Sequence, residues 1–373
     1  MRIVQVANFY TPTSGGLRTC VEELGLGYLA GGHERILVVP GEHDLDEQTP
    51  SGRRVWISSP RLGGGYRVLT ARDRVRRVLD ELRPDVLEVS DKFSVPWLAR
   101  WARRERVPIV LFSHERIDVI LRPRVPPWLP LRVAADVVNK RLSRLVHSVI
   151  VASEFSAEEF RRIGAGNVRQ IALGVDLGVF RPAVADPPRV GGTVHLVMVG
   201  RLSAEKSPEL AIECLRVLRA GGLDADLTVV GDGPLRTVLQ RRAEGLPVHF
   251  TGHIDAREAV AQLIAAADIA LSPSSAETFG LATLEALACG TPVVVPAAGA
   301  ARELVTPGAS GAVCDGTGEG LARGVRELLA VPASQRRDAA RRAAERYPWS
   351  ATVASLLDCY GAALSRVGSP GRP

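Results

Sequence analysis

Short runs of Val, Ile and Leu recur along this chain, separated by longer stretches of helical periodicity, and that alternation restricts the fold more than anything else in it. Strands are expected at residues 2–7, 35–40, 54–58, 85–90, 108–112 and 148–152, with helices such as 70–82 and 96–104 between them. Strand and helix in such repeated order produce a parallel sheet covered on both faces. At residues 181–192 the chain turns Pro/Gly-rich and loses periodicity, which reads as a linker. A second series follows at 195–199, 226–230, 248–251, 268–272 and 292–295. The expected organisation is an N-terminal doubly wound domain (1–180), the linker, a second such domain (193–348) and a terminal helix (349–367) set off by Tyr347-Pro348. Ligands of such sheets lie beyond the C-terminal ends of the strands, which here implies a cleft between the two domains.

Composition narrows the partners only a little. The N-terminus enters a strand directly, without the charged and apolar regions of a leader, and no apolar run approaches the ~20 residues that span a bilayer. Five scattered cysteines without metal-ligand spacing suit a reducing cytoplasm. The net charge of +6 is compatible with anionic lipid or nucleotide phosphate, and no nucleic-acid recognition motif accompanies it. Oligomeric state is not legible.

The stretch from Pro273 to Val295 holds two carboxylates, Glu277 and Glu285, around the trio Phe279-Gly280-Leu281. On one continuous helix these glutamates would stand ~12 Å apart along the axis and ~80° apart around it, too far to share a small ligand. A turn at Phe279-Gly280 with a helix starting there resolves this. Glu277 then precedes the helix mouth, Glu285 lies in its early turns, and both flank the free N–H groups that attract an anion. Cys289-Gly290 is a suitable helix stop, and Pro292–Pro296 the next buried strand.

Other strand ends carry comparable chemistry. In Gly200-Arg-Leu-Ser-Ala-Glu-Lys206, Arg201 and Lys206 can reach a diphosphate, one as a planar fork and the other as a point charge, or can simply form a basic loop at a helix start. Gly231-Asp-Gly-Pro234 lacks the third glycine of a dinucleotide fingerprint, Arg236 standing there, which disfavours an NAD oxidoreductase and leaves a tight turn. Asp255, in Gly252-His-Ile-Asp255, can accept from guanine, but a helix N-cap is its expected role. Gly15-Gly16 allows close approach of backbone to a phosphate or sugar, and a plain turn equally. His114, in Ser113-His-Glu-Arg116, reads from the residues alone as structural or functional.

Glu-x7-Glu around Phe-Gly-Leu, the Gly-Arg-Leu-x-x-Glu-Lys loop and the Gly-Asp-Gly-Pro turn together resemble the retaining glycosyltransferases of family four, which have the GT-B fold. The first domain, through Val6-Ala-Asn-Phe-Tyr10, Ser14-Gly-Gly-Leu-Arg-Thr19, Leu87-Glu-Val-Ser-Asp91 and Leu173-Gly-Val-Asp176, further resembles the actinobacterial GDP-mannose-dependent α-mannosyltransferases. The resemblance implies a C-terminal helix crossing back to the first domain and a donor site that domain closure completes. It implies donor-binding roles for Gly16, Arg201, Lys206, Ile254, Glu277, Phe279, Gly280, Leu281 and Glu285. Gly16 approaches the donor on closure, Glu277 binds hexose hydroxyls, Glu285 the ribose, and residues 279–281 offer backbone amides. The nucleobase sits near Ile254, largely on backbone. His114, Arg201, Lys206 and Glu277 are the implied catalytic set, with His114 contacting sugar hydroxyls rather than acting as a base. The implied reaction is front-face transfer of mannose from GDP-mannose to a phosphatidylinositol mannoside or related glycolipid, with no metal and no cofactor. Another sugar nucleotide (UDP-glucose or UDP-N-acetylglucosamine) with a soluble acceptor is the rival enzyme, and a non-catalytic sugar-nucleotide-binding subunit the rival of another class.

A glycolipid acceptor implies a peripheral position on the inner face of the cell membrane. Residues 121–132 mix apolar, Trp and Arg side chains as an interfacial segment does, and Trp97, Trp101 and the arginines of 67–77 are expected either to add to that surface or to be buried tryptophans and solvated basic helices.

Overall fold

The computed structural model describes residues 1–10, 15–61, 66–122, 125–126, 128–183 and 192–368. It divides into two compact units, Met1–Leu173 with Trp349–Pro373, and Gly174–Pro348.

The first unit is built on β1 (Arg2–Val6), β2 (Glu34–Gly41), β3 (Leu45–Thr49), β4 (Gly52–Ser58), β5 (Val86–Val89), β6 (Ile109–Ser113), β7 (Ser148–Val151) and β8 (Val168–Gln170), in the order β3-β4-β2-β1-β5-β6-β7-β8. All neighbours are parallel except β3 and β4. Strand alternation sends Ile36 and Val38 of β2 into the core under helices Arg72–Leu82 and Val95–Glu105, and Leu37 and Val39 to the other face, with Val21 of helix Gly16–Ala30. The edge strand β3, Leu-Asp-Glu-Gln-Thr, shows no apolar alternation and was not expected. Its charges, including Asp46 gripped by Arg53 at 2.6 Å, keep the edge from pairing with another chain.

A buried polar chain crosses this sheet beneath helix Gly16–Ala30. Arg35 Nε donates to Gln5 Oε1 (2.7 Å), and Gln5 Nε2 to Glu88 Oε1 (2.9 Å). Glu88 Oε2 accepts from Tyr28 of that helix (3.2 Å) and, through a very short bond, from Tyr360 of the terminal helix Trp349–Val367. The two tyrosine hydroxyls are also 2.9 Å apart. Burial pushes the Glu88 carboxyl up, against the pull of its hydrogen-bond donors and of Arg35. Val353, Leu356, Tyr360 and Ala363 form the terminal helix's buried stripe, and a Cβ on Gly27 would fall 2.3 Å from Val353, so the two helices touch almost backbone to side chain.

The second unit holds β9 (Val194–Val199), β10 (Ala225–Val230), β11 (Val248–Gly252), β12 (Ile269–Leu271), β13 (Val293–Pro296) and β14 (Gly311–Cys314), all parallel, in the order β11-β10-β9-β12-β13-β14. The order reverses direction at β9, so the loop after β9 opens at the sheet's switch point, where ligands bind.

Several expectations need correction or lie outside the described residues. Residues 174–180 belong to the second unit, not the first: Val175 N–H donates to Tyr347 O (2.9 Å), and Arg341 to Phe180 O (3.0 Å). Most of the linker (184–191), the turn at 11–14 and the tail from 369 lie outside the described residues, as do 123, 124 and 127 of the interfacial segment. Trp97 and Trp101 are buried, Trp101 donating to Asp80 (2.6 Å), so neither faces a membrane. Among the basic residues of 67–77, Arg67 pairs with Glu42, Arg74 with Asp44 and Arg76 with Asp73.

Candidate active site

The loops that close β9, β10 and β12 build one polar corner of the second unit. After β9 the chain runs through Gly200 and the exposed Arg201 into a 3-10 turn, Ala204–Lys206. The Gly231-Asp-Gly-Pro turn after β10 lies flat against it. A Cβ on Gly231 would come 2.0 Å from Gly200 O and one on Gly233 2.4 Å from Leu202 O, so only glycine fits at either position. Leu202 N–H donates to Asp232 O (2.9 Å), completing the seam. Inside the loop, Ser203 Oγ donates to Glu205 (2.6 Å). Burial pushes the Glu205 carboxyl up, but this bond, a backbone N–H and the charges of Lys206 and Arg201 hold it below its ordinary range.

The segment after β12 docks on the same loop. Ser274 Oγ donates to Glu205 O (2.7 Å) and accepts from Ala276 N–H (3.2 Å). Ala300 N–H holds Glu277 O (2.9 Å). These bonds deliver the Glu277 carboxylate to Lys206 Nζ at 2.5 Å, with the two side chains 18% and 32% exposed. The chain then passes Gly280 in the left-handed region (φ 101°) and enters helix Leu281–Ala288. No side chain caps that helix and its first turn carries no acid, so its opening amides remain available to an external anion. Thr283 Oγ1 donates to Ser272 Oγ (3.0 Å), fixing the helix to the end of β12. Glu285 lies in the second turn, half-buried. Phe279 turns inward, edge-on to Tyr347 at 6.2 Å, which leaves only its backbone for a ligand.

The structure therefore brings Lys206 onto Glu277 and puts Arg201, Gly280, Leu281 and Glu285 on the loops and helix around them. Ile254 is half-buried beyond β11. Asp255 does not cap the following helix: Arg257–Ala266 starts on Ala256 with no side-chain cap. Asp255 instead meets His253 Nε2 at 3.1 Å with 85% of its side chain exposed, open to an external donor. Ser203 and Ser274 escaped sequence reasoning because short polar residues in loops carry no spacing signal, and Glu205 stood in the Gly-Arg-Leu-x-x-Glu-Lys loop without a role of its own. Among the described residues no three His, Cys, Asp or Glu side chains gather as metal ligands would.

In the first unit, taken by itself, His114 follows β6 directly and Gly16 opens the helix that comes after β1. The imidazole stacks on Phe112 (4.3 Å, 21°), and burial pushes its pKa down to about 4, so it is neutral near pH 7. The loop behind it is held by Arg116, paired with Asp118 (2.9 Å) and Glu158 (2.6 Å). Gly16 is the exposed first residue of helix Gly16–Ala30. The His114 shift has a measurable sign. Below pH 6.5 the unfolded chain takes up a proton that the folded protein refuses until about pH 4, so stability falls as pH falls through that window, by up to about 3 kcal/mol. His114→Asn should flatten this part of the melting-temperature-versus-pH curve; an unchanged slope would place the imidazole in water.

Two family models match the chain, "Glycosyl transferase 4-like domain" over residues 15–176 and "Glycosyl transferases group 1" over 185–346. The GDP-mannose-dependent alpha-(1-6)-phosphatidylinositol dimannoside mannosyltransferase of Mycobacterium tuberculosis is 44% identical, over 97% of this chain and 96% of its own. The GDP-mannose-dependent alpha-mannosyltransferase of Corynebacterium glutamicum is 30% identical, over 84% and 77%. Among solved structures, sucrose-phosphate synthase from Thermosynechococcus elongatus superposes with a TM-score of 0.82 at 22% identity, covering 98% of this chain and 99% of that one. Anabaena HepE in complex with UDP and glucose gives 0.77 at 20%, covering 97% and 99%. At these identities the two structures speak for the fold.

Proposed function

Because the chain belongs to the family-four, GT-B glycosyltransferases, we propose that it is a retaining α-mannosyltransferase that moves mannose from GDP-mannose to a phosphatidylinositol mannoside or a closely related glycolipid. Donor and acceptor follow from the full-length likeness to the mycobacterial enzyme. The chemistry rests on one observation, the Lys206–Glu277 pair at the mouth of helix Leu281–Ala288.

In this reading the pair is a resting arrangement that the donor divides. The diphosphate takes Lys206, Arg201 and the helix amides, which meet the charge that builds on the leaving phosphate. Glu277, relieved of its cation, accepts from the hexose hydroxyls, and Glu285 from the ribose. Phe279, Gly280 and Leu281 donate through backbone, and the base rests by Ile254, with Asp255 free to accept from guanine N–H groups. The bond from mannose C1 to the phosphate oxygen breaks, and the acceptor oxygen bonds to C1 on the same face. The departing phosphate takes the acceptor's proton, so the step balances without a protein base or a metal. Burial makes His114 a weak base, with its pKa pushed down to about 4, which suits a hydrogen bond to a sugar hydroxyl better than proton abstraction. Gly16, with no side chain at a helix mouth, suits close approach to the same substrates.

The first unit supplies the acceptor side and, in this proposal, rests on the inner membrane face. Trp128 (79% exposed), Val133 (62%) and Val137 (67%) leave apolar side chains open to solvent within a stretch that also exposes Arg132, Lys140 and Arg141. No helix among the described residues is long and apolar enough to cross a membrane.

Incubating the protein with labelled GDP-mannose, UDP-glucose and UDP-N-acetylglucosamine beside membrane lipid extract tests the assignment. A mannolipid formed from GDP-mannose alone is expected. Product from a UDP-sugar on a soluble acceptor would replace the reading, and GDP binding without any product would point to a binding subunit.

A further inference from the structure

The loops at the β11 edge of the second sheet carry a charge that the transfer chemistry leaves unused. The Gly231-Asp-Gly-Pro turn after β10 and the Gly252-His-Ile-Asp loop after β11 are clamped together, Gly231 N–H donating to Gly252 O (2.9 Å). Arg236, which stands where a dinucleotide fingerprint would place its third glycine, reaches onto that clamp. Its Nη1 lies 3.0 Å from where a Cβ on Gly252 would be, and donates to Asp232 Oδ2 at 2.8 Å. Asp232 is itself aimed by the Gly233 N–H (2.7 Å). That N–H holds its carboxyl below the ordinary range, with Arg236 and His253 adding their charges against burial. Nε and Nη2 of Arg236 meet no acceptor among the described residues, and its side chain is 35% exposed.

We propose that Arg236 is the residue that selects the donor's base, its guanidinium fork donating to O6 and N7 of guanine. The strand order β11-β10-β9 puts the end of β11 two strands, ~10 Å, from the loop that carries Arg201 and Lys206. A diphosphate on those cations delivers its base, across the ribose, to the clamped loops. Guanine alone among the common bases presents two adjacent acceptors, O6 and N7, that match a planar fork. Adenine sets an amino group against the same N–H donors, and uracil has no N7. Asp255 does not make this choice by itself, because a carboxylate that accepts from guanine N1–H also accepts from uracil N3–H. Asp232 is the positioning residue, since without it the fork is a long side chain free to turn. The inference deepens the donor half of the proposed function and rests on it for the seat of the diphosphate.

Calorimetric titration of the full chain with GDP, 7-deaza-GDP, ADP and UDP reads this contact atom by atom, because 7-deaza-GDP lacks only the N7 acceptor. The unaltered protein should bind GDP at least about tenfold more tightly than ADP or UDP, and 7-deaza-GDP about fivefold more weakly than GDP. Arg236→Met should lose about tenfold for GDP and little for UDP, and should bind GDP and 7-deaza-GDP alike. Asp232→Asn, which keeps the fork but loosens its aim, should shrink the gap between those two ligands to about twofold. A gap that Arg236→Met leaves in place, an equal loss for GDP, ADP and UDP, or an unaltered protein indifferent to N7 or to the base would each overturn the proposal. Mannolipid formation from GDP-mannose is scored separately. If the unaltered protein shows the base preference and no product forms, the transferase reading falls and Arg236 keeps its assignment. Product together with a gap that survives in Arg236→Met does the reverse.

Discussion

Lys206→Ala lowers the turnover of GDP-mannose about a thousandfold and changes the affinity for GDP about tenfold or less. Two effects add. In the proposed mechanism the variant loses the cation that meets the leaving diphosphate, and removing one such charge-stabilising donor costs about 3–4 kcal/mol in the transition state. It also leaves Glu277 half-buried without its counter-charge, its backbone still held by Ala300 and its segment by Ser274. That orphaned carboxylate then repels the incoming diphosphate. Glu277→Gln in the Lys206→Ala background should therefore recover part of the donor affinity and little of the rate. Single-turnover rates and GDP titration on the four proteins of this cycle separate the two effects. A rate within about threefold of the parent's for Lys206→Ala would remove Lys206 from the reaction, and loss of rate and GDP affinity in equal proportion would make it a binding residue only.

Glu88→Ala has the largest expected effect on stability, about 3–5 kcal/mol, because it takes the shared acceptor from Gln5, Tyr28 and Tyr360 in a site without water access. For a unit of this size that is a drop of ~10 °C in the melting temperature. Tyr360→Phe removes a single hydroxyl and should cost about 1–2 kcal/mol, since Tyr28 and Gln5 still serve the carboxylate. Thermal melts with a probe in each unit give the check: the loss belongs to the first unit, and the second should melt as before. Equal loss in both, or none, would mean that the polar chain does not hold the terminal helix.

The alternation of apolar runs with helical stretches was enough to read both sheets, because parallel strands buried on two faces need uninterrupted Val, Ile and Leu, as in β2, β6 and β13. β3 escaped because a charged edge strand resembles a loop, and β8 (Val-Arg-Gln) and β14 (Gly-Ala-Val-Cys) because neither contains a run of Val, Ile or Leu. At the site, Gly280 and Cys289-Gly290 announced the ends of helix Leu281–Ala288 correctly, since a left-handed turn and a helix stop both call for particular residues. The contact between Lys206 and Glu277 was not legible. It spans 71 positions and depends on Ser274 finding a backbone carbonyl, which no local pattern encodes. Asp255 was misread for a related reason: an acid before a helix looks like a cap until the backbone enters the helix one residue later.

The terminal helix also governs the order in which the molecule can be finished. Tyr360 and Leu356 complete a core whose other parts were made before residue 174, and the whole second unit is synthesised in between. On the ribosome, Tyr28 and Glu88 must wait for their partner while an entire α/β unit folds. The unit that starts first is therefore the last to close, and a chain that stops at Pro348 would leave its own beginning uncovered.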